Sequence, residues 1–142
     1  AAHFSGMSAT PLDDDVRDLL LEPNPCVMAT LRKDGSPVTV PTWYRLVDGD
    51  RIHLNLDAGR VRLQHIRRDP RVALSVIASE DWYTHASIQG RVTEIADDPD
   101  LSGIDALARH YTGESYPTRD RPRVNAWVEI EHVHVWGRLL DN

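Results

Sequence analysis

Lysine and cysteine are almost missing from this chain: Lys33 and Cys26 are the single examples among 142 residues. A lone cysteine excludes an internal disulfide and cannot by itself build a cysteine-based metal site. No apolar run approaches the roughly 18 residues that span a bilayer. No signal-peptide pattern precedes the domain, so a cytoplasmic location is expected. A basic excess is missing too. The 16 Lys+Arg against 22 Asp+Glu leave a formal net charge of −6, which argues against nucleic-acid binding, whose footprint is a basic surplus. The chain has no Gly-x-Ser-x-Gly elbow, no Walker phosphate loop and no Gly-x-Gly-x-x-Gly fingerprint. Internal repeats and low-complexity segments are also lacking.

What remains is an ordinary globular composition, 41% hydrophobic and 27% charged, in a length that suits one domain with a real core. Ala1 to Gly6 read as an expression scar ahead of a natural start at Met7, leaving 7–142 as a single domain. The 15 arginines against one lysine suit phosphate and carboxylate recognition. The same bias follows from a GC-rich genome, which hints at an actinobacterial source.

The pattern along the chain is mostly strands. Pro11 to Leu21 reads as a helix with Val16, Leu19 and Leu20 as its apolar stripe. Val27 to Arg32 and Val38 to Val47 read as a hairpin around Asp34-Gly35, with Pro41 marking an edge, a bulge or a break in the ladder. Arg51 to Leu56 is a third strand, and Arg71 to Ala78 a fourth. Trp82 to Ile95 is a long strand with a bulge or tight bend expected at Gly90. A helix from about Leu101 to Tyr111 and a polar excursion from Thr112 to Arg123 follow, the latter of a length that tends to be functional or mobile. Val124 to Glu131 and Val133 to Leu139 close the chain as two strands. Six or seven antiparallel strands with three helices predict a mainly β protein, a closed barrel.

The stretch from Asp57 to Ser75 organises the rest. A turn at Asp57-Ala58-Gly59 leads into a short helical pattern, with Val61, Leu63 and Ile66 assigned to its apolar side. Asp69-Pro70 stops that helix. Arg60 and Arg62 stand at its mouth, where backbone N–H groups and the helix dipole favour an anion that guanidinium groups can grip. The alternative is a solvated basic face holding structural ion pairs.

Other candidates carry less chemistry. His132 and His134 alternate near Glu129 and Glu131, but spacing fixes no third metal ligand, and no metal is expected. His85 shares a face with Tyr83, Ser87 and Gln89, either an exterior polar row or a lining that touches a bound heterocycle. Trp43, Tyr44, Trp82, Trp127 and Trp136 read as core or interface fillers before stacking platforms.

In order, the chain presents Ala29-Thr30-Leu31-Arg32-Lys33-Asp34-Gly35-Ser36-Pro37 and Val40-Pro41-Thr42-Trp43-Tyr44. Arg60-x-Arg62 and Ile66-Arg67-Arg68-Asp69-Pro70-Arg71-Val72 follow, and then Gln89-Gly90-Arg91-Val92. This arrangement, from Asp13 to Gly137, resembles the split-barrel flavin-binding superfamily of pyridoxamine 5'-phosphate oxidase. Within it the chain is most similar to the actinobacterial branch that uses the deazaflavin coenzyme F-420. The resemblance implies a split β-barrel homodimer with two cofactor sites at the subunit interface. It implies a phosphate grip at Arg60 and Arg62, the second commonly lysine in the family, with Val61 between them. Val40, Pro41, Thr42 and Trp43 would lie against the ring, with Asn55 pointing toward it from the next strand. His85 falls where the pyridoxamine oxidases have a glutamine that meets the flavin. Residues specific for pyridoxal phosphate have no counterpart around Val133 to Leu139, which counts against vitamin B6 oxidation. The implied reaction is hydride transfer from reduced coenzyme F-420 to a conjugated, electron-poor small molecule, with no catalytic side chain nominated as a general base. Two alternatives stand beside it: an FMN-dependent oxidoreductase of the same fold, and a non-catalytic flavin- or haem-binding module.

Overall fold

Pro41 divides the return strand of the first hairpin. In the computed structural model, which describes residues 12–141, β1 (Cys26–Leu31) turns into β2 (Pro37–Pro41), and the chain resumes as β3 (Arg45–Val47) only after Thr42–Tyr44. The turn is shaped by the Asp34 carboxylate, which accepts hydrogen bonds from the Ser36 amide at 2.9 Å and hydroxyl at 2.6 Å. The scar expected at 1–6, Met7 and Pro11 lie outside the described residues. The first helix, α1, runs Asp14–Leu21 and buries Val16, Leu19 and Leu20, the expected stripe.

The other elements are β4 (Arg51–Asp57), α2 (Val61–Arg68), β5 (Arg71–Ala78), β6 (Asp81–Asp97), α3 (Ser102–Thr112) and β7 (Arg123–Trp136), with a 3-10 turn at Gly137–Asp141. The seven strands form one antiparallel sheet in the order β2-β1-β5-β6-β7-β4-β3. Its two edge strands, β2 and β3, are consecutive in sequence. Three residues span the gap between them, so the sheet must curl until its edges meet. Among the described residues no ladder joins β2 to β3, and this seam is the split of the mainly β barrel that the sequence predicts.

Two expectations about elements need correction. The closing strands are one strand, β7, because no turn residue interrupts Glu131-His132 and pairing with β6 continues to His85 opposite Trp136. Gly137, at φ +72°, ends it. Val61 does not join Leu63 and Ile66 in the core but is 58% exposed. Two residues apart on a helix, Val61 and Leu63 point in different directions. The bend expected in β6 is real: the register shifts between Gln89 and Gly90, and a Cβ on Gly90 would come within 2.5 Å of the Glu129 carbonyl oxygen.

The core fills the barrel with the inner rows of β5 (Val72, Leu74, Val76), β6 (Ala86, Ile88, Val92) and β7 (Val124, Ala126, Val128). Strand β4 is buried on both faces. Ile52, Leu54 and Leu56 join the core, while the alternate residues His53, Asn55 and Asp57 are buried polar groups. Of that second row, Asn55 reaches the site.

Candidate functional site

The mouth of α2 is built to leave positive charge unanswered. Arg60 occupies the N-cap with no side-chain cap, and the first turn holds no acidic residue, so nothing in the helix offsets its positive end. Arg60, Val61 and Arg62 line a cleft of about 290 Å³ together with Arg32, Val38, Thr39, Val40 and His65. His65 is fixed beneath it, its Nδ1 2.9 Å from the Thr30 hydroxyl. Arg62 also lines a second and larger cavity of about 790 Å³, within the range of small-molecule sites. Its Nη1 is buried and has no hydrogen-bond partner, an arrangement costly for a charged donor. Burial above all, and then Arg60 and Arg123, push its pKa below the usual arginine value. Among the described residues neither Arg60 nor Arg62 meets a carboxylate. Arg60 is exposed, as the solvated-face alternative has it, but the structural ion pairs of that alternative do not form at Arg60 or Arg62 among the described residues. An acidic ligand group at this junction would give Arg62 its missing partner, so the residues present fit a cofactor with an anionic tail.

The larger cavity has an aromatic wall. Trp43, on the segment freed by Pro41, stacks on Tyr111 of α3 with centroids 5.4 Å apart and planes 13° from parallel. Tyr116 meets Trp43 edge-on at 6.2 Å. The Tyr111 hydroxyl donates to the Asn24 carbonyl at 2.7 Å, which holds the stack in place. Ile104, Leu107 and prolines 23, 25 and 41 complete an apolar surface beside Thr42 and Cys26. Burial pushes the Cys26 thiol up to about 12, so it stays protonated and is no nucleophile.

The polar back wall is a closed network. Asn55 donates to Asp98 at 3.0 Å and to the Asn125 oxygen at 2.8 Å, and accepts from Arg123 Nε at 2.8 Å. Arg45 Nε donates to His53 Nδ1 at 2.9 Å, which leaves His53 Nε2 to donate to the Asn125 oxygen at 2.7 Å. Burial is the main reason that the pKa of His53 lies below its ordinary value. Asn55 thus lines the cavity with its amide already engaged. What it presents is Arg123.

The family model for pyridoxamine 5'-phosphate oxidase matches residues 12–137. The chain belongs to that family. Comparison with curated proteins returned no match. Among solved structures, an F-420 reductase is similar at 26% identity and a TM-score of 0.79, over 87% of this chain and 98% of its own. A conserved hypothetical protein from Mycobacterium tuberculosis is similar at 22% identity and a TM-score of 0.73, over 95% and 91%. HupZ from Group A Streptococcus shares the fold at 16% identity and a TM-score of 0.64, over 88% and 94%.

In this family member the residues expected to hold a cofactor divide between the two clefts. Val40, Arg60 and Val61 line the smaller, Pro41, Thr42, Trp43 and Asn55 the larger, and Arg62 both. His85 lines neither. It lies on the outer face of β6, stacked on Trp136 at 6.1 Å. Sequence reasoning missed Tyr111, Tyr116 and Arg123. Tyr116 and Arg123 lie in the excursion at 112–123, a signal that marks the segment without singling out either residue, and Tyr111 had none. That loop is fastened down: Arg119 reaches Asp105 at 2.6 Å, the Tyr116 amide donates to Asp105 at 3.0 Å, and Arg121 grips Asp57 with two nitrogens. Arg121 first, and then the Gly59 amide, hold the Asp57 carboxyl down at about 2. His132 and His134 are exposed on β7. Among the described residues no three metal-ligating side chains gather, and no helix is long and apolar enough to cross a membrane.

Proposed function

We propose that this chain is an oxidoreductase that uses coenzyme F-420 to reduce a conjugated, electron-poor small molecule. The observation that carries the reading is Arg62: a buried guanidinium without a partner, at the junction of a cation-lined cleft and an aromatic cavity. The similarity to an F-420 reductase supports the choice of deazaflavin over FMN. Arg60 and Arg62 would hold the acidic tail, with Val61 between them. Val40, Pro41, Thr42 and Trp43 would face the ring, and Asn55 would steady the wall behind it. The cofactor, when bound, supplies the hydride; the chain supplies position, electrostatics and a dry cavity. Among the described residues no carboxylate lines the larger cavity, and the Cys26 thiol stays protonated, so no side chain is assigned as general base and solvent can deliver the product's proton.

The working form proposed is a cytoplasmic homodimer. Trp82, Tyr83 and Trp136 are 70%, 68% and 50% exposed, an aromatic face that a second copy would cover, His85 with it. Reduced F-420 mixed with the protein and a quinone, followed by the return of deazaflavin absorbance, tests the activity. Catalysed oxidation of the cofactor is expected. Binding without turnover across a panel of quinones, enones and nitroaromatics would instead support a carrier, and turnover with reduced FMN alone an FMN enzyme.

A further inference from the structure

Arg123 is a second cation in the large cavity, and among the described residues no carboxylate forms an ion pair with it. Its Nε is held by the Asn55 side chain at 2.8 Å and its Nη2 lies 3.5 Å from the Asn55 carbonyl. Its guanidinium carbon lies 5.0 Å from the centre of the Tyr116 ring. Among the described residues it makes no ion pair, and three nearby acids have hydrogen-bond partners of their own. Asp57 is bound by Arg121 and the Gly59 amide. Asp98 takes the Asn55 amide and caps α3 through the N–H groups of Gly103 and Ile104. Asp105 takes Arg119 and the Tyr116 amide.

The clamp also fixes where Arg123 points. Asn55 is itself held from behind by Asp98 and Asn125, so the guanidinium is oriented before anything binds, which lowers the ordering cost of recognition. Apart from Arg62, Arg123 and Asn55, the cavity is mostly apolar and aromatic. Such a site takes a flat apolar body with one small anionic end. A carboxylate matches a single planar fork, and the other cation of the cavity, Arg62, is taken by the cofactor's tail in the proposed function.

We infer that the acceptor is a planar, conjugated carboxylate whose anionic end is gripped by Arg123 against the face of Tyr116. As a statement about the acceptor this rests on the proposed reductase function, but the anion grip itself can be measured without cofactor. Calorimetric titration of the cofactor-free protein with cinnamate and with methyl cinnamate separates the charge from the flat body. The acid should bind about 10- to 100-fold more tightly than the ester, as expected for one charge-assisted fork. Arg123→Gln, which keeps a donor for Asn55, should bring the acid down to the level of the ester, and Arg123→Lys should restore part of the difference. Equal binding of acid and ester to the unaltered protein overturns the inference with no variant needed. So does a folded Arg123→Gln protein that keeps its preference for the acid while losing affinity for F-420, which would assign Arg123 to the cofactor. If F-420 fails to bind but the preference for the acid follows Arg123, the reductase reading falls and the anion site stands.

Discussion

At the scale of single residues, Arg60 and Arg62 were legible because they sit two apart at the start of one helix, a signal contained within a few positions. Arg123 was not legible. It reaches Asn55 across 68 positions of sequence, and only the pairing of β4 with β7 brings the two together. Arg60→Ala with Arg62→Ala should weaken F-420 binding by about 1.5–3 kcal/mol for each guanidinium–phosphate pair removed, read by calorimetry on protein whose far-UV spectrum is unchanged. His53 offers a pH test. Its folded pKa lies below 6.5, so the folded state holds fewer protons than the unfolded chain as acid is added. The stability that His53 contributes is complete above pH 6.5 and is lost as pH falls through its depressed folded pKa. Urea unfolding at pH 7.5 and 5.5 should show a loss for the unaltered protein that is smaller in His53→Gln.

At the scale of elements, the sequence showed the hairpin, both halves of the central helix-strand unit and the bend in β6, because turn residues or proline mark each boundary. It did not show that Val38 to Val47 supplies opposite edges of the sheet, since alternation is the same in two short strands as in one. Nor did it show β7 as one strand, since a weak hydrophobic pattern over Glu131-His132 looks like a break until β6 is laid beside it. Gly90→Ala should be destabilising by about 1–3 kcal/mol, as overpacking usually is, because its Cβ would meet the Glu129 carbonyl backbone at 2.5 Å and Val128 Cγ1 at 2.7 Å. Thermal melting checks this. Asp57→Asn should release loop 113–122, seen as faster amide exchange at Tyr116 and its neighbours. The Asp57 carboxyl, held down at about 2 by Arg121, contributes stability that is full above about pH 4 and lost as pH falls through about 2. The Asp57→Asn protein should lack that acid-side slope.

At the scale of the whole molecule, an antiparallel barrel follows from the strand count, and the split of that barrel, like the family, from the resemblance that the order of the motifs carries. The face that a partner would cover was not readable, because only the pairing of β6 with β7 brings Trp136 beside His85, two residues from the exposed Tyr83. Light scattering should give a particle of twice the 16.0 kDa chain mass, and Tyr83→Glu with Trp136→Arg should halve it. A 16.0 kDa particle from the unaltered chain at micromolar concentration would contradict the dimer. In the proposed function, Arg62 at the junction of the two clefts receives the acidic tail of a deazaflavin. A side-by-side calorimetric titration with F-420, FMN and haem tests it most directly. F-420 should bind most tightly, and its affinity should fall when Arg60 and Arg62 are both replaced by alanine. Tighter binding of FMN or haem, or F-420 affinity unchanged in the folded double variant, would contradict it.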